Sequence, residues 1–239
     1  MIVTIHQPEH LPWLGFFDKL RQAQTWVLLD QVPYRKHYFQ NRNRIRGDRG
    51  EVWLTVPVLT RGKLGQAIRD VRIDHRGSPR WRAKCWTSLA QHYGRAPFWA
   101  EHAGALEALY RRDWERLVEL NEALIRYLLV AFSIQVTIVK SSELNVSGQR
   151  SALLLAICRR LNAEVYLSGI SGREYLDQDL FREAGIEVRF QAFHHPIYAQ
   201  QYEPFIPCLS ALDLLLNRGP DSLEALRGVG VETMQELIT

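Results

Sequence analysis

Short β-branched apolar runs alternate along this chain with segments whose apolar residues recur at helical spacing. "IVTI" near the start has the first character, and in "LPWLGFFDKLRQAQ" the residues Leu14, Phe17, Leu20 and Ala23 fall on one helical face. "TWVLLD" returns to strand, so strand, polar turn, helix and strand follow one another as a βαβ unit with parallel strands and a right-handed crossover. Further strands are predicted at "VWLTVPV" (52–58), "IRDVRI" (68–73), "QVTIVK" (135–140), "EVYLSG" (164–169) and "EVRFQAF" (187–193). Between 78 and 134 the pattern turns helical: Ser78 as N-cap and Pro79 at the first position start a helix that Gly94 stops, and helices are predicted at 98–112 and 114–132. The βα rhythm then resumes with helices in "SGQRSALLLAICRRLN" and "DLFREAGI", and two more follow at 210–218 and 221–237. The expected fold class is α/β: a Rossmann-like, mostly parallel sheet with a helical subdomain, as a single domain over 1–239 with a helical insertion or flank at about 78–134.

Composition narrows the function classes. A chain of 239 residues can bury a sizeable core, and its formal charge of +4 suits a phosphate-bearing small molecule better than nucleic acid. Cys85, Cys158 and Cys208 are widely spaced, without a CxxC pair, and read as buried reduced thiols. The start "MIVTIHQP" carries no basic leader, and no run reaches the roughly 18 apolar residues a membrane span needs, so a soluble cytoplasmic protein is expected.

Three polar clusters follow predicted strands. "IHQPEHLPWLGF" places His6, Gln7 and His10 where a parallel sheet binds ligands and where a helix N-terminus attracts anions; a histidine there would hold phosphate as imidazolium or act as acid or base. The competing reading is a helix cap shaped by Pro8 and Pro12. In "DQVPYRKHYFQNRNRIRGDRG", guanidinium forks at Arg35, Arg42 and Arg44, with Lys36, Asn41 and Asn43, stand in a loop among Tyr34, Tyr38 and Phe39, an arrangement for phosphate and for stacking on a base or sugar. The alternatives are a solvated basic loop and an RNA-binding patch. In "YLSGISGREYLDQDLF", Gly169 and Gly172 beside Ser168 and Ser171 let backbone approach a ligand, while Tyr175 and Asp177 would reach a sugar hydroxyl; equally, Asp177 would serve as an N-cap. "FHHPIY" points its two histidines apart, and no zinc spacing occurs, so no metal is expected. Trp13, Trp81, Trp86 and Trp99 read as core.

"HQPEHLPWLGFFDKL", "LDQVPYRKHYFQNRNRI", "WLTVPV", "YLSGISGREYLD" and "LSALDLLLNRG", in this order over nearly the whole chain, resemble the WbqC-like proteins. The family pattern matches at Gln7, Pro8, Pro12, Gly15, Phe16 and Phe17, and again at Asp30, Val32, Tyr34, Lys36, Asn41, Arg42, Asn43 and Arg44. His10 departs from the aromatic residue the pattern carries there, which moves the weight of the chemistry to His6 and Gln7. The resemblance implies a place in surface-polysaccharide and O-antigen biosynthesis, transferring glycine or a similar acyl group to an amino sugar. At the level of fold, the opening strand and histidine turn also resemble the nucleotidylyltransferase and pantothenate synthetase superfamily, although its HxGH is absent. Together these imply ATP or a nucleotide-sugar as the bound nucleotide and other sugar-biosynthesis enzymes as partners. Membrane and nucleic acid are not expected as partners. The alternatives are a non-catalytic nucleotide-sugar-binding or partner protein and an RNA-binding module. The catalytic candidates are His6, Gln7 and His10; the loops at 6–13, 30–44 and 168–177 are expected to face one pocket.

Overall fold

A computed structural model describes residues 1–229. The chain divides into two compact units: Met1–Pro8, Gly15–Val32 and Ile134–Phe193 form the first, and the second comprises Glu9–Leu14, Pro33–Ser133 and the described residues from His194 on.

The first unit is a five-stranded parallel sheet of β1 (Ile2–His6), β2 (Thr25–Leu28), β5 (Thr137–Lys140), β6 (Val165–Ser168) and β7 (Glu187–Phe190), in the order β5-β2-β1-β6-β7. This is the Rossmann-like α/β arrangement, and the order reverses between β1 and β6. The central strands are apolar and covered on both faces, as parallel strands must be. Their core joins Val3, Ile5 and Val27 to Leu154 and Ile157 of α5 (Arg150–Arg160) and to Phe181 of α6 (Gln178–Glu183), whose ring stacks on Tyr166 at 5.3 Å. In α1 (Leu14–Arg21) every residue through Leu20 is buried, so this helix has no solvent stripe over those positions.

In the second unit, β3 (Arg42–Gly47) and β4 (Gly50–Thr55) form an antiparallel hairpin. Helices α2 (Trp81–Tyr93), α3 (Trp99–Arg111), α4 (Leu117–Ala131), α7 (Leu212–Arg218) and α8 (Ser222–Leu226) complete it. The helical stretch expected at 78–134 is thus part of a larger unit. At its centre Asp213 is fully buried and accepts hydrogen bonds from Tyr93 (2.8 Å), Tyr198 (2.8 Å) and Gln200 (2.9 Å).

Four local expectations are corrected. The basic segment is not a loop from 42 onward, because Asn43 and Ile45 alternate inward along β3 while Arg42 and Arg44 alternate outward. "IRDVRI" is not a strand: Ile68–Asp70 is a 3-10 turn that buries Ile68 and Val71 at the three-residue spacing of that helix, and only isolated bridges follow at Arg72 and Ile73. Helix α2 starts at Trp81 rather than at Ser78–Pro79, with the Ser78 carbonyl accepting from the Trp81 amide; its end is where it is expected, at Tyr93 with Gly94 as C-cap. Cys85 and Cys158 are buried, but Cys208 is only half-buried. The last expected helix is described to Leu226, and its part beyond residue 229 lies outside the described residues.

Candidate active site

β1 leads to β2 on one side of the sheet and β6 leads to β7 on the other, so the strand order reverses between β1 and β6, the position at whose carboxyl ends parallel sheets bind ligands. His6 and Gln7 stand at the end of β1, and Ser168 and Gly169 at the end of β6. Thr4 ties the two strands by donating to the Leu167 carbonyl at 2.9 Å.

The His6 ring lies edge-on to Phe16 at 5.0 Å, and its Nδ1–H donates to the Gln7 carbonyl at 3.0 Å. A carbonyl can only accept, so Nδ1 carries the proton and Nε2 is an acceptor. Desolvation lowers the His6 pKa to about 3, and the positive charge of Lys19 pushes in the same direction. His6 is therefore a neutral acceptor at physiological pH, which replaces the imidazolium role expected of it. Helix α1 begins only at Leu14, so His6 and Gln7 do not cap it either.

Lys19 is 3% exposed, and its Nζ lies 3.9 Å from where a side chain on Gly169 would begin. Its neighbour Asp18 is equally covered and accepts from Gln191 Nε2 (2.5 Å) and Gln22 Nε2 (2.8 Å) and pairs with Arg21 (2.6 Å). Gln191 also donates to the Gly15 carbonyl at 2.8 Å, fastening the segment after β7 to α1. These bonds hold the helix turn that presents Lys19.

The loop after β6 winds as a 3-10 turn, Ile170–Glu174. A Cβ on Gly172 would stand 2.1 Å from Ser168 Oγ and 3.3 Å from the Phe190 ring, so only glycine lets the turn close over Ser168. Ser168 is buried and donates to the Gly169 carbonyl at 3.2 Å, whereas Ser171 and Tyr175 are exposed. Asp177 caps α6, accepting from the Leu180 amide at 3.2 Å, which is the second of its two expected roles. Asp30 is buried at the end of β2, where it accepts from Ser141 Oγ (2.9 Å), Ser142 Oγ (2.7 Å) and the Ser142 amide (3.0 Å); both carboxylate oxygens serve to join the ends of β2 and β5.

The remaining sequence-predicted residues belong to the second unit. His10 is fully buried: Nδ1 donates to Asn121 Oδ1 at 3.2 Å, Tyr110 OH donates to Nε2 at 3.0 Å, and desolvation lowers its pKa to about 4. It is a core histidine rather than a catalytic one. Asn43 donates to the carbonyl of Leu11 (2.7 Å), a residue held at φ +45°, and Asn41 joins the Tyr34 hydroxyl (2.8 Å) to the Val56 carbonyl (2.8 Å). Burial pushes the Tyr34 hydroxyl up to about 12. Arg44 pairs with Glu51 (2.7 Å) and donates to the Cys208 carbonyl (3.1 Å). Arg42 donates to the His37 carbonyl (2.7 Å) and lies 4.4 Å over the Trp53 ring, while Lys36 is exposed. His195 is likewise structural, donating to the Pro196 carbonyl and accepting from the Cys208 amide. Among the described residues no group of histidine, cysteine and carboxylate side chains is arranged to hold a metal ion. Among them, too, no helix is long and apolar enough to cross a membrane.

Sequence reasoning did not single out Lys19, Asp18, Gln191 or Trp53. The signal for Lys19 was its place between Phe17 and Leu20 in a helix that follows a central strand, where burial extends beyond one stripe.

The WbqC-like protein family matches residues 7–225. "Uncharacterized protein Rv1507c" of Mycobacterium tuberculosis is 32% identical over 227 residues, covering 94% of this chain and 97% of the relative. No solved structure matches the chain.

Proposed function

Because the chain belongs to the WbqC-like protein family, we propose that it is a transferase of surface-polysaccharide (O-antigen) biosynthesis, moving glycine or a similar acyl group onto the amine of a nucleotide-linked amino sugar. The observation that carries this reading is the placing of a buried ammonium, Lys19, and a neutral histidine acceptor, His6, beside the point where the strand order reverses between β1 and β6. Acyl transfer needs both kinds of group. Glycine and ATP give glycyl-adenylate and pyrophosphate. The sugar amine nitrogen then attacks the acyl carbonyl, a tetrahedral oxyanion forms, the C–O bond to AMP breaks as the carbonyl is restored, and the amine proton leaves to solvent. A fixed cation in a low-dielectric site stabilises that oxyanion or a substrate phosphate. An acceptor at His6 Nε2 orients the amine N–H, with Gln7 beside it. Gly169 places backbone rather than a side chain beside the Lys19 head, since a side chain there would start 3.9 Å from Nζ. ATP or the nucleotide-sugar itself supplies the nucleotide, the reaction runs in the cytoplasm, and other sugar-biosynthesis enzymes are the protein's partners.

One observation favours a second reading. The low basicity of His6 makes it a weak proton acceptor, which fits a non-catalytic nucleotide-sugar-binding protein better than a general base. Incubation with nucleotide-linked amino sugars, glycine and ATP, followed by mass spectrometry of the sugar, separates the two. The transferase reading expects a glycylated sugar that is absent with Lys19→Met and reduced with His6→Ala, both variants remaining folded. Unmodified sugar under all conditions, with nucleotide-sugar binding intact, decides for the binding protein.

A further inference from the structure

The outer face of the β3–β4 hairpin carries aromatic rings and cations that the chemistry at the sheet does not use. Trp53 on β4 is 45% exposed, directly across from Arg44, and its ring lies at 28° to Phe39 with centroids 6.1 Å apart. Tyr38, 40% exposed, meets Phe39 edge-on at 5.6 Å. Guanidinium groups accompany both exposed rings: Arg42 at 4.4 Å from Trp53 and Arg35 at 5.3 Å from Tyr38, with exposed Lys36 between them in sequence.

The surface is held in place. Arg42 donates to the His37 carbonyl, fixing a non-glycine residue at φ +61°; the Arg35 amide donates to Gln40 Oε1 at 2.9 Å; and Tyr34 bonds Asn41. Residues kept in that sparsely populated region persist only where their surroundings over-determine them, and they concentrate at binding sites. Arg44 is already matched by Glu51, but among the described residues no carboxylate pairs with Arg35, Lys36 or Arg42. A contiguous aromatic patch ringed by cations fits a ligand that is planar at one end and anionic at the other.

We propose that this face is a nucleotide-binding surface, on which the base of a nucleoside diphosphate stacks against Trp53 and its phosphates are held by Arg35, Lys36 and the outer edge of Arg42. An uncharged sugar would leave the cations unmatched, and an inorganic anion would leave the rings exposed. The inference stands apart from the chemistry of His6 and Lys19, because a nucleotide binds here whether or not any group is transferred.

Calorimetric titration of the whole protein with UDP, ADP and pyrophosphate tests it. Stacking of one base on an aromatic side chain predicts that Trp53→Ala weakens UDP and ADP binding about 5- to 100-fold. Trp53→Phe, which keeps a ring, is expected to stay within about 3-fold of the parent. Pyrophosphate binding should be indifferent to Trp53→Ala and weakened by Arg35→Ala combined with Lys36→Ala. Equal UDP affinity in Trp53→Ala and parent overturns the proposal, as does failure of the parent to bind either nucleotide. A single-stranded oligonucleotide that binds far more tightly than UDP, with affinity falling steeply with salt, overturns it in favour of a nucleic-acid interface. Glycylation with Trp53-independent nucleotide binding sinks this surface alone, while Trp53-dependent binding without glycylation sinks only the transferase reading.

Discussion

The ends of β1 and β6 and the segment from Tyr34 to Arg46 are both crowded with polar side chains, and they use them differently. In the second region most of that polarity ties down irregular backbone. Asn41 and Asn43 each bond a main-chain carbonyl, Arg46 donates to the Gly47 and Pro204 carbonyls, and from outside the segment Asn121 donates to the Gln40 carbonyl while also holding His10. Buried amides and carbonyls outside regular ladders need partners, and these side chains provide them. At the strand ends, a regular parallel sheet satisfies its own backbone, and the buried polar side chains Lys19 and His6 stand beside it on α1 and at the end of β1. Polar density in a sequence therefore marks a backbone to be satisfied as readily as a ligand to be bound.

The sharpest test of the comparison is in the second unit's interior. Asp213→Ala strands the donors of Tyr93, Tyr198 and Gln200, and is expected to destabilise the protein by roughly 3–5 kcal/mol in denaturant unfolding. At the strand ends, Lys19→Met is expected to abolish glycylation in the fraction that remains folded, with the sugar checked by mass spectrometry.

Acid should reveal the buried histidines next. His10 ionises near pH 4 in the folded chain against 6.5 when unfolded, so the unfolded state takes up the proton first. Stability is complete above pH 6.5 and declines as the pH falls toward 4, by up to about 3 kcal/mol from His10, with His6 acting in the same direction. Unfolding of His10→Gln at pH 7 and 4.5 should show a smaller acid loss than the parent does; an equal loss would place the titration elsewhere.

A smaller effect, about 1–3 kcal/mol, is expected for Gly172→Ala, because the new methyl meets Ser168 Oγ; adding Ser168→Ala should recover part of it. The smallest is Asp177→Ala, about 1 kcal/mol by thermal unfolding with ligand binding unchanged, since this side chain caps α6. A binding defect there would return Asp177 to the ligand.

The sequence by itself determined the parallel sheet, its strands β1, β2, β5, β6 and β7, and the helices between them, because hydrophobic period is a local property that burial on both sheet faces makes strong. It also placed His6, Gln7 and the Ser-Gly turn at strand ends, since a strand followed by a polar turn is legible in one dimension. Only the tertiary structure decided what those residues are. Strand β3 stayed hidden because Asn43 fills an inward position where a strand pattern expects an apolar residue, and it is tolerated there by a bond to Leu11, 32 residues away. His10 and His6 look alike in the sequence. One has both ring nitrogens engaged by Asn121 and Tyr110, 111 and 100 residues distant, and the other is kept neutral by burial and by the charge of a lysine on the next helix. Hydrogen-bond partners and local dielectric depend on which segments meet in space, and no local pattern of residues carries that information.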